Sequence, residues 1–177
     1  VLGATASAGD VRWFAASSGG SSLYTGSPYT TGSISATTSY WAEAYNDGCA
    51  SASRTEVIAT VNAVPTAPTL SAASPVNSTT VCAGYNSGTV TGAAGSGGGS
   101  GAADEYQVSI DGGSNYSAYT SGATITTTGA TGNIIVQARR TGGTGCSASA
   151  WSTLCTWTFG TTPTAPTLSS ASPTNGN

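Results

Sequence analysis

Apolar and polar residues alternate along this chain in short runs, each closed by Gly, Ser, Asn or Asp. In the first third these runs are "DVRWFA", "SISAT", "TSYWAEAYN" and "RTEVIATV". Within "SYWAEAY" a strand would place Tyr40, Ala42 and Ala44 on one face and Trp41, Glu43 and Tyr45 on the other. Later in the chain the same rhythm returns as "EYQVSI", "ATITTT", "NIIVQARR" and "CTWTF", separated by "DGGSN", "TGATG" and "RTGGTGC". These separators supply the turn residues that hairpins need. No stretch keeps a helical period over three turns, so the pattern predicts an all-β chain.

A repeat divides the pattern into modules. "PTAPTLSAASP" runs from Pro65 to Pro75 and "PTAPTLSSASP" from Pro163 to Pro173, with 11 identities in 15 aligned positions at a spacing of 98 residues. That spacing is the size of one immunoglobulin-like sandwich and exceeds the short periods of solenoids. Each "PTAP" fixes two φ angles and removes two backbone donors, which predicts a semi-rigid joint at Pro65 and Pro68 and again at Pro163 and Pro166. The expected organisation is a module over 1–63, a linker over 64–75, a module over 76–161, and a linker with the start of a further module over 162–177. The fold class is therefore tandem immunoglobulin-like antiparallel β-sandwiches joined by Pro-rich linkers.

Composition narrows the function. Charged residues make up 6% of the chain and the net charge is -3, which offers no basic footprint for nucleic acid; Arg139 and Arg140 form a pair, not a patch. No run of eighteen apolar residues is present to span a bilayer. Val1 does not open a charged-then-apolar leader, so a processed chain or an excerpt of a longer one is expected. Four Trp and eight Tyr supply the buried area that a flexible tether lacks.

The stretch "VRWFAASSGGSSLYTGSPYTTGSISATTSYWAEAYNDGCASASRTEVIATV" resembles the immunoglobulin-like repeat of large Bacteroidetes surface proteins. It carries that repeat's Trp-aromatic strand, Gly-Gly loop, "TTxYxxEA" strand and Gly-Cys before the last strand. The later module, with "TVCAGYNSGTVT", "DEYQVSIDGGSNYSAYTSG" and "VQARRTGGTGCSASAWSTLCTWTF", is similar to a second repeat type of such proteins. The resemblance implies a secreted, multi-module chain of the kind exported by the type IX system, which includes gliding and attachment adhesins. Alignment of the two "GC" positions makes Cys49 and Cys146 equivalent. A bridge from Cys82 to Cys146 is then implied, with the partner of Cys49 outside the chain. Cys82 to Cys155 is the alternative, because first and last strands of such sandwiches are often neighbours. By the same comparison the first module lacks its opening strand, to be supplied by upstream residues or a neighbouring copy.

Candidate chemistry is sparse. The chain has no His and its cysteines show no CxxC spacing, which argues against zinc and thiol catalysis. Asp104 and Glu105 are adjacent on a strand and so face opposite ways, which an acid and base pair cannot use. "SIDGGSNY", with Ser109, Asp111, Gly113 and Tyr116, resembles the Asp-box of β-hairpins, a structural turn. "GSGGGSG" over 95–101 lacks the Lys and helix of a phosphate loop and reads as a flexible loop. Tyr24, Tyr29, Tyr85, Tyr116 and Tyr119 fall in or near loops and could stack on sugar rings. Asn77 and Asn115 head sequons, and the dense Ser and Thr leave O-linked sugars open. The expectation is a non-enzymatic structural segment of an extracellular filament or adhesin stalk, serving surface attachment or motility, without cofactor. Its partners would be neighbouring modules or copies, and a surface polysaccharide. The alternative is a carbohydrate-binding or spacer module of a secreted polysaccharide-degrading enzyme.

Overall fold

The computed structural model describes residues 1–167, and within them the chain divides into two compact units, the first ending at Ala63 and the second starting at Val64. No helix occurs among the described residues.

The first unit is built on one sheet. Its strands are β1 (Asp10–Phe14), β2 (Tyr24–Thr25), β3 (Thr38–Asn46), β4 (Cys49–Ala50) and β5 (Thr55–Ala59). The order is β2-β1-β3-β4, with β5 also paired to β3, and all pairings are antiparallel. Strands β3 and β4 join through Asp47-Gly48, both at positive φ (47° and 90°), which is the backbone a two-residue hairpin with right-handed strand twist requires. Tyr40 and Ala42 of β3 and Val11 and Trp13 of β1 face inward, as the alternation predicts. Residues 2–6 cover this face with Leu2, Ala4 and Ala6, and Leu2 exchanges two 2.8 Å backbone hydrogen bonds with Tyr29. The indole of Trp13 is fully buried and its Nε1–H donates to the carbonyl of Gly26 at 2.9 Å. On the outer face, Arg12 stacks on Tyr45 and Arg54 on Phe14, and Arg54 also donates to Glu43 at 3.0 Å. "SISAT" forms no strand; only its neighbour, β3, pairs. Ser and Ala there offer too little apolar area to hold a strand against the sheet.

The second unit is a two-layer sandwich. One sheet is β11-β8-β6, from β6 (Thr69–Ser74), β8 (Gly88–Ala93) and β11 (Thr124–Ile125). The other is β10-β9-β12-β13-β7, from β7 (Thr80–Cys82), β9 (Asp104–Ser109), β10 (Ser117–Tyr119), β12 (Ile134–Arg140) and β13 (Ser152–Gly160). All pairs are antiparallel except β7 with β13, which run parallel with Thr80 opposite Thr158 and Cys82 opposite Gly160. Val90 and Ile125 from one layer meet Ile134, Val136, Ala138, Leu154 and Trp157 from the other. Gly88 and Gly92, four apart on β8, leave room for two rings: a Cβ at Gly88 would lie 2.6 Å from Trp157, and one at Gly92 2.6 Å from Tyr106. The glycines are thus sockets for aromatics.

The expected linker over 64–75 is corrected by this arrangement. Thr69–Ser74 is strand β6, paired with β8, and Thr66 bridges to Ser96. Pro65 and Pro68 are buried in the second unit, before the strand, where no ladder donor is needed. The repeated phrase is therefore the opening strand of a unit with its lead-in, and the second unit begins at Val64 instead of Val76. Pro163 and Pro166 are exposed and outside any strand, and the rest of the second copy of the phrase lies outside the described residues.

A candidate ligand cleft

The outer face of the larger sheet in the second unit carries ordered polar rows. The register sets Arg139 opposite Glu105, and Gln137 opposite both Gln107 and Thr153. Because side chains alternate, these residues share the face turned away from the core. Glu105 accepts from Arg139 Nε at 2.7 Å, and the guanidinium lies 4.6 Å from the ring of Trp151. Gln107 donates to Gln137 at 2.9 Å, and Gln137 in turn contacts Thr153. At the free side of β10 this face opens into a cleft of about 620 Å³, bounded by Glu105, Gln107, Ala118, Thr120, Tyr116 and Trp151. Its other wall holds Tyr106, whose hydroxyl pKa is raised by burial and by the charge of Asp104 beside it.

Asp104 and Glu105 do face opposite ways. Asp104 turns to the core side, where it pairs with Arg140 at 2.9 Å and accepts the Gly95 amide at 3.1 Å. Each carboxylate has its own arginine, so the two do not form a catalytic pair. Loop 95–101 is fastened, which corrects the flexible reading: Gly97 accepts from Arg140, Gly99 donates to Gly142, and Ser100 accepts from Thr144. Two glycine-rich loops meet backbone to backbone here, because side chains would hold them apart.

The hairpin residues come together. Ser109 Oγ donates to Asp111 Oδ1 at 2.7 Å and accepts from the Gly113 amide at 2.8 Å. Asp111 accepts the amide and the side chain of Asn115 at 2.9 and 2.7 Å. These bonds, first that from the Asn115 amide, lower the Asp111 pKa to about 2. Tyr116 reaches over Gly113, where a Cβ would lie 3.3 Å from its hydroxyl. Both sequon asparagines are engaged, Asn115 with Asp111 and Asn77 as acceptor from the Thr156 amide.

Of the candidate tyrosines, only Tyr116 and Tyr119 line the cleft. Tyr119 is structural: its hydroxyl binds the amide and carbonyl of Val90 and the carbonyl of Ala123. Tyr85 packs on the core. Tyr24 stacks on Tyr29 at 5.5 Å, and Tyr29 continues to Trp13 and Tyr40 as an extension of the first core. Sequence reasoning missed Gln107 and Trp151. Their signal was an amide in the middle of each of two strands, Gln107 in "EYQVS" and Gln137 in "IIVQA", and a Trp outside any strand pattern.

Neither expected bridge from Cys82, to Cys146 or to Cys155, is present, and no two of the four cysteines are joined within the chain. Cys82 faces Gly160, and Cys155 lies five residues back along the same strand, about 17 Å away at the usual rise. Cys146 sits in the loop beyond Arg140, near the opposite end of the sheet from Cys82. Neighbouring strands are not enough; register decides. Cys155 is buried in the core, and that burial raises its thiol pKa to about 11. Cys49 is exposed on β4. Among the described residues no group of three or more Cys, Asp or Glu could hold a metal ion, and no helix is long and apolar enough to cross a membrane.

Topology and core define the class: an all-β chain of two units, the second a two-layer sandwich whose second strand, β7, and last strand, β13, pair in parallel. The family described as "Ig-like domain CHU_C associated", a Bacteroidetes-type Ig-like domain, matches residues 1–63, the whole of the first unit. Domains of this family occur in extracellular and surface proteins and are typically non-catalytic. No curated protein matches the chain.

Proposed function

We propose that the chain is a tension-bearing spacer segment of a surface filament or adhesin stalk. The observation that carries this reading is the parallel pairing of β7 with β13. Once the opening strand β6 has peeled from β8, pulling on the two ends of the unit drags β7 and β13 in opposite directions along their common axis. Their hydrogen bonds are then loaded together in shear, whereas an antiparallel hairpin pulled at its open end yields bond by bond. Further support comes from the phrase at Pro65–Pro75, which opens the second unit and recurs at Pro163–Pro173, as a tandem array would require. All four basic residues are arginines committed to stacking or ion pairs, so the surface is chemically quiet. The test is to pull single molecules by their ends and compare Val81→Pro with Val81→Ala. Both truncate the same buried side chain, but only proline removes a backbone amide from β7. The unfolding force of the second unit should fall well below that of the alanine variant. Equal forces would defeat the shear account.

A further inference from the structure

We infer that the cleft beside β10 is a binding site for a neutral oligosaccharide or polysaccharide. Its volume, about 620 Å³, is in the range of ligand sites. Tyr116 and Trp151 stand at its two ends. Tyr116 precedes the residue opposite Val108, and Trp151 stacks with Arg139 opposite Glu105, so the two residues are offset by roughly four residues, about 13 Å, along the strand direction, and flank β9 and β12 from opposite sides. Between them lie the Gln107 amide, the Glu105 carboxylate and the Thr120 side chain. Apolar rings take the C–H faces of sugars, while amide and carboxylate groups accept and donate to their hydroxyls. Both polar groups are held in place by neighbours, Gln107 by Gln137 and Glu105 by Arg139, which lowers the entropy lost on binding.

Charge selects the class of sugar. The cleft is lined by two carboxylates and no lysine or arginine, and each carboxylate is matched by an arginine outside the lining. With both arginines already committed to these carboxylates, no free cation is left to receive an anionic glycan. A peptide strand added to the edge is disfavoured too, because β10 offers only three residues to pair with. The open side at β10 suits a polymer whose ends run past the site.

The 177-residue chain should be titrated with cellohexaose, xylohexaose, mannohexaose and, as the anionic counterpart, a hexagalacturonate, followed by calorimetry and amide NMR. At least one neutral hexasaccharide should bind at millimolar concentration or tighter, shifting the Gln107 side-chain amide and the Trp151 indole. Trp151→Ala should weaken that binding by about tenfold or more. Gln107→Ala, which leaves every ring in place, should weaken it by a smaller factor with the melting profile unchanged. No binding by any neutral sugar, shifts confined to other surfaces, equal binding of the uronate, or variants that bind as the parent does would each overturn the inference. Failure here leaves the tension-bearing reading standing, since that rests on the β7–β13 pair.

Discussion

The two units use the same device at different scales. Each buries one tryptophan whose indole N–H is tied to a loop carbonyl, Trp13 to Gly26 and Trp157 to Pro75, both at 2.9 Å. In the first unit that ring belongs to a cluster of five buried residues over one sheet, with short-chain residues such as Ala4 and Ala6 closing the other side. In the second it belongs to a cluster of nine, between two sheets. All strand pairs of the first unit are antiparallel among the described residues, whereas the second has the parallel β7–β13 pair. Sharing a tryptophan anchor therefore does not make the units equal. On the proposed reading, stability follows the second layer and resistance to tension follows the parallel β7–β13 pair.

The strongest way to break this comparison is to remove each anchor in turn. Trp157→Ala should cost the second unit about 3–5 kcal/mol, and Trp13→Ala should cost the first a similar amount out of a smaller total. Calorimetry should then show only the affected unit's transition lowered, with Trp13→Ala unfolding the first unit outright. A substitution that lowers both transitions together would mean that the units are one cooperative body. Gly88→Ala tests the socket specifically. Its Cβ would meet a buried ring 2.6 Å away, so the second unit should lose about 1–3 kcal/mol by overpacking.

Titration sharpens the contrast between core and rim of the second unit. The Cys155 thiol is held neutral by burial, with its pKa raised from 9.0 to about 11. The stability this contributes is complete below pH 9 and is lost as pH rises through 11. Thermal melts over that interval should show the loss, and Cys155→Ala should remove that part of the slope. In the native protein iodoacetamide should modify Cys49 and Cys82, both exposed, and spare Cys155; protection of Cys82 would reopen the question of a bridge. The smallest effect lies at the hairpin. With its pKa lowered from 3.8 to about 2, Asp111 stabilises the turn fully above pH 3.8 and loses that role as pH falls through 2. Amide exchange at Asn115 should rise across that window and be insensitive to it in Asp111→Asn.

What could be read from the sequence depended on side-chain contrast. Strands β3, β9, β12 and β13 alternate large apolar or aromatic residues with polar ones, and they stand out. Strands β6 and β8 are written in Ser, Thr, Ala and Gly, so β6 passed for a linker although its pairing with β8 forms half of a sheet. What gives β8 its importance is the absence of side chains at Gly88 and Gly92, which only the facing rings explain. The "SIDGGSNY" turn was legible because its hydrogen bonds are local, within six residues. The cleft was not, since Glu105, Gln107, Tyr116 and Trp151 meet only through the β9, β10 and β12 registers. The cysteine pairing failed for the same reason, because five positions along one strand separate Cys155 from the level of Cys82.

The central claim is that two units fold separately and that, as proposed, the second is braced against tension by its parallel β7–β13 pair. Pulling the intact chain by its ends tests both parts in one trace. The first unit should yield first, at low force, releasing about 20 nm of chain for its 63 residues at ~3.6 Å each. After β6 detaches, the second should yield later, at clearly higher force and with the β7–β13 pair breaking in a single step, releasing about 30 nm. A single merged event, or a second unit that extends gradually before the first gives way, would contradict the account.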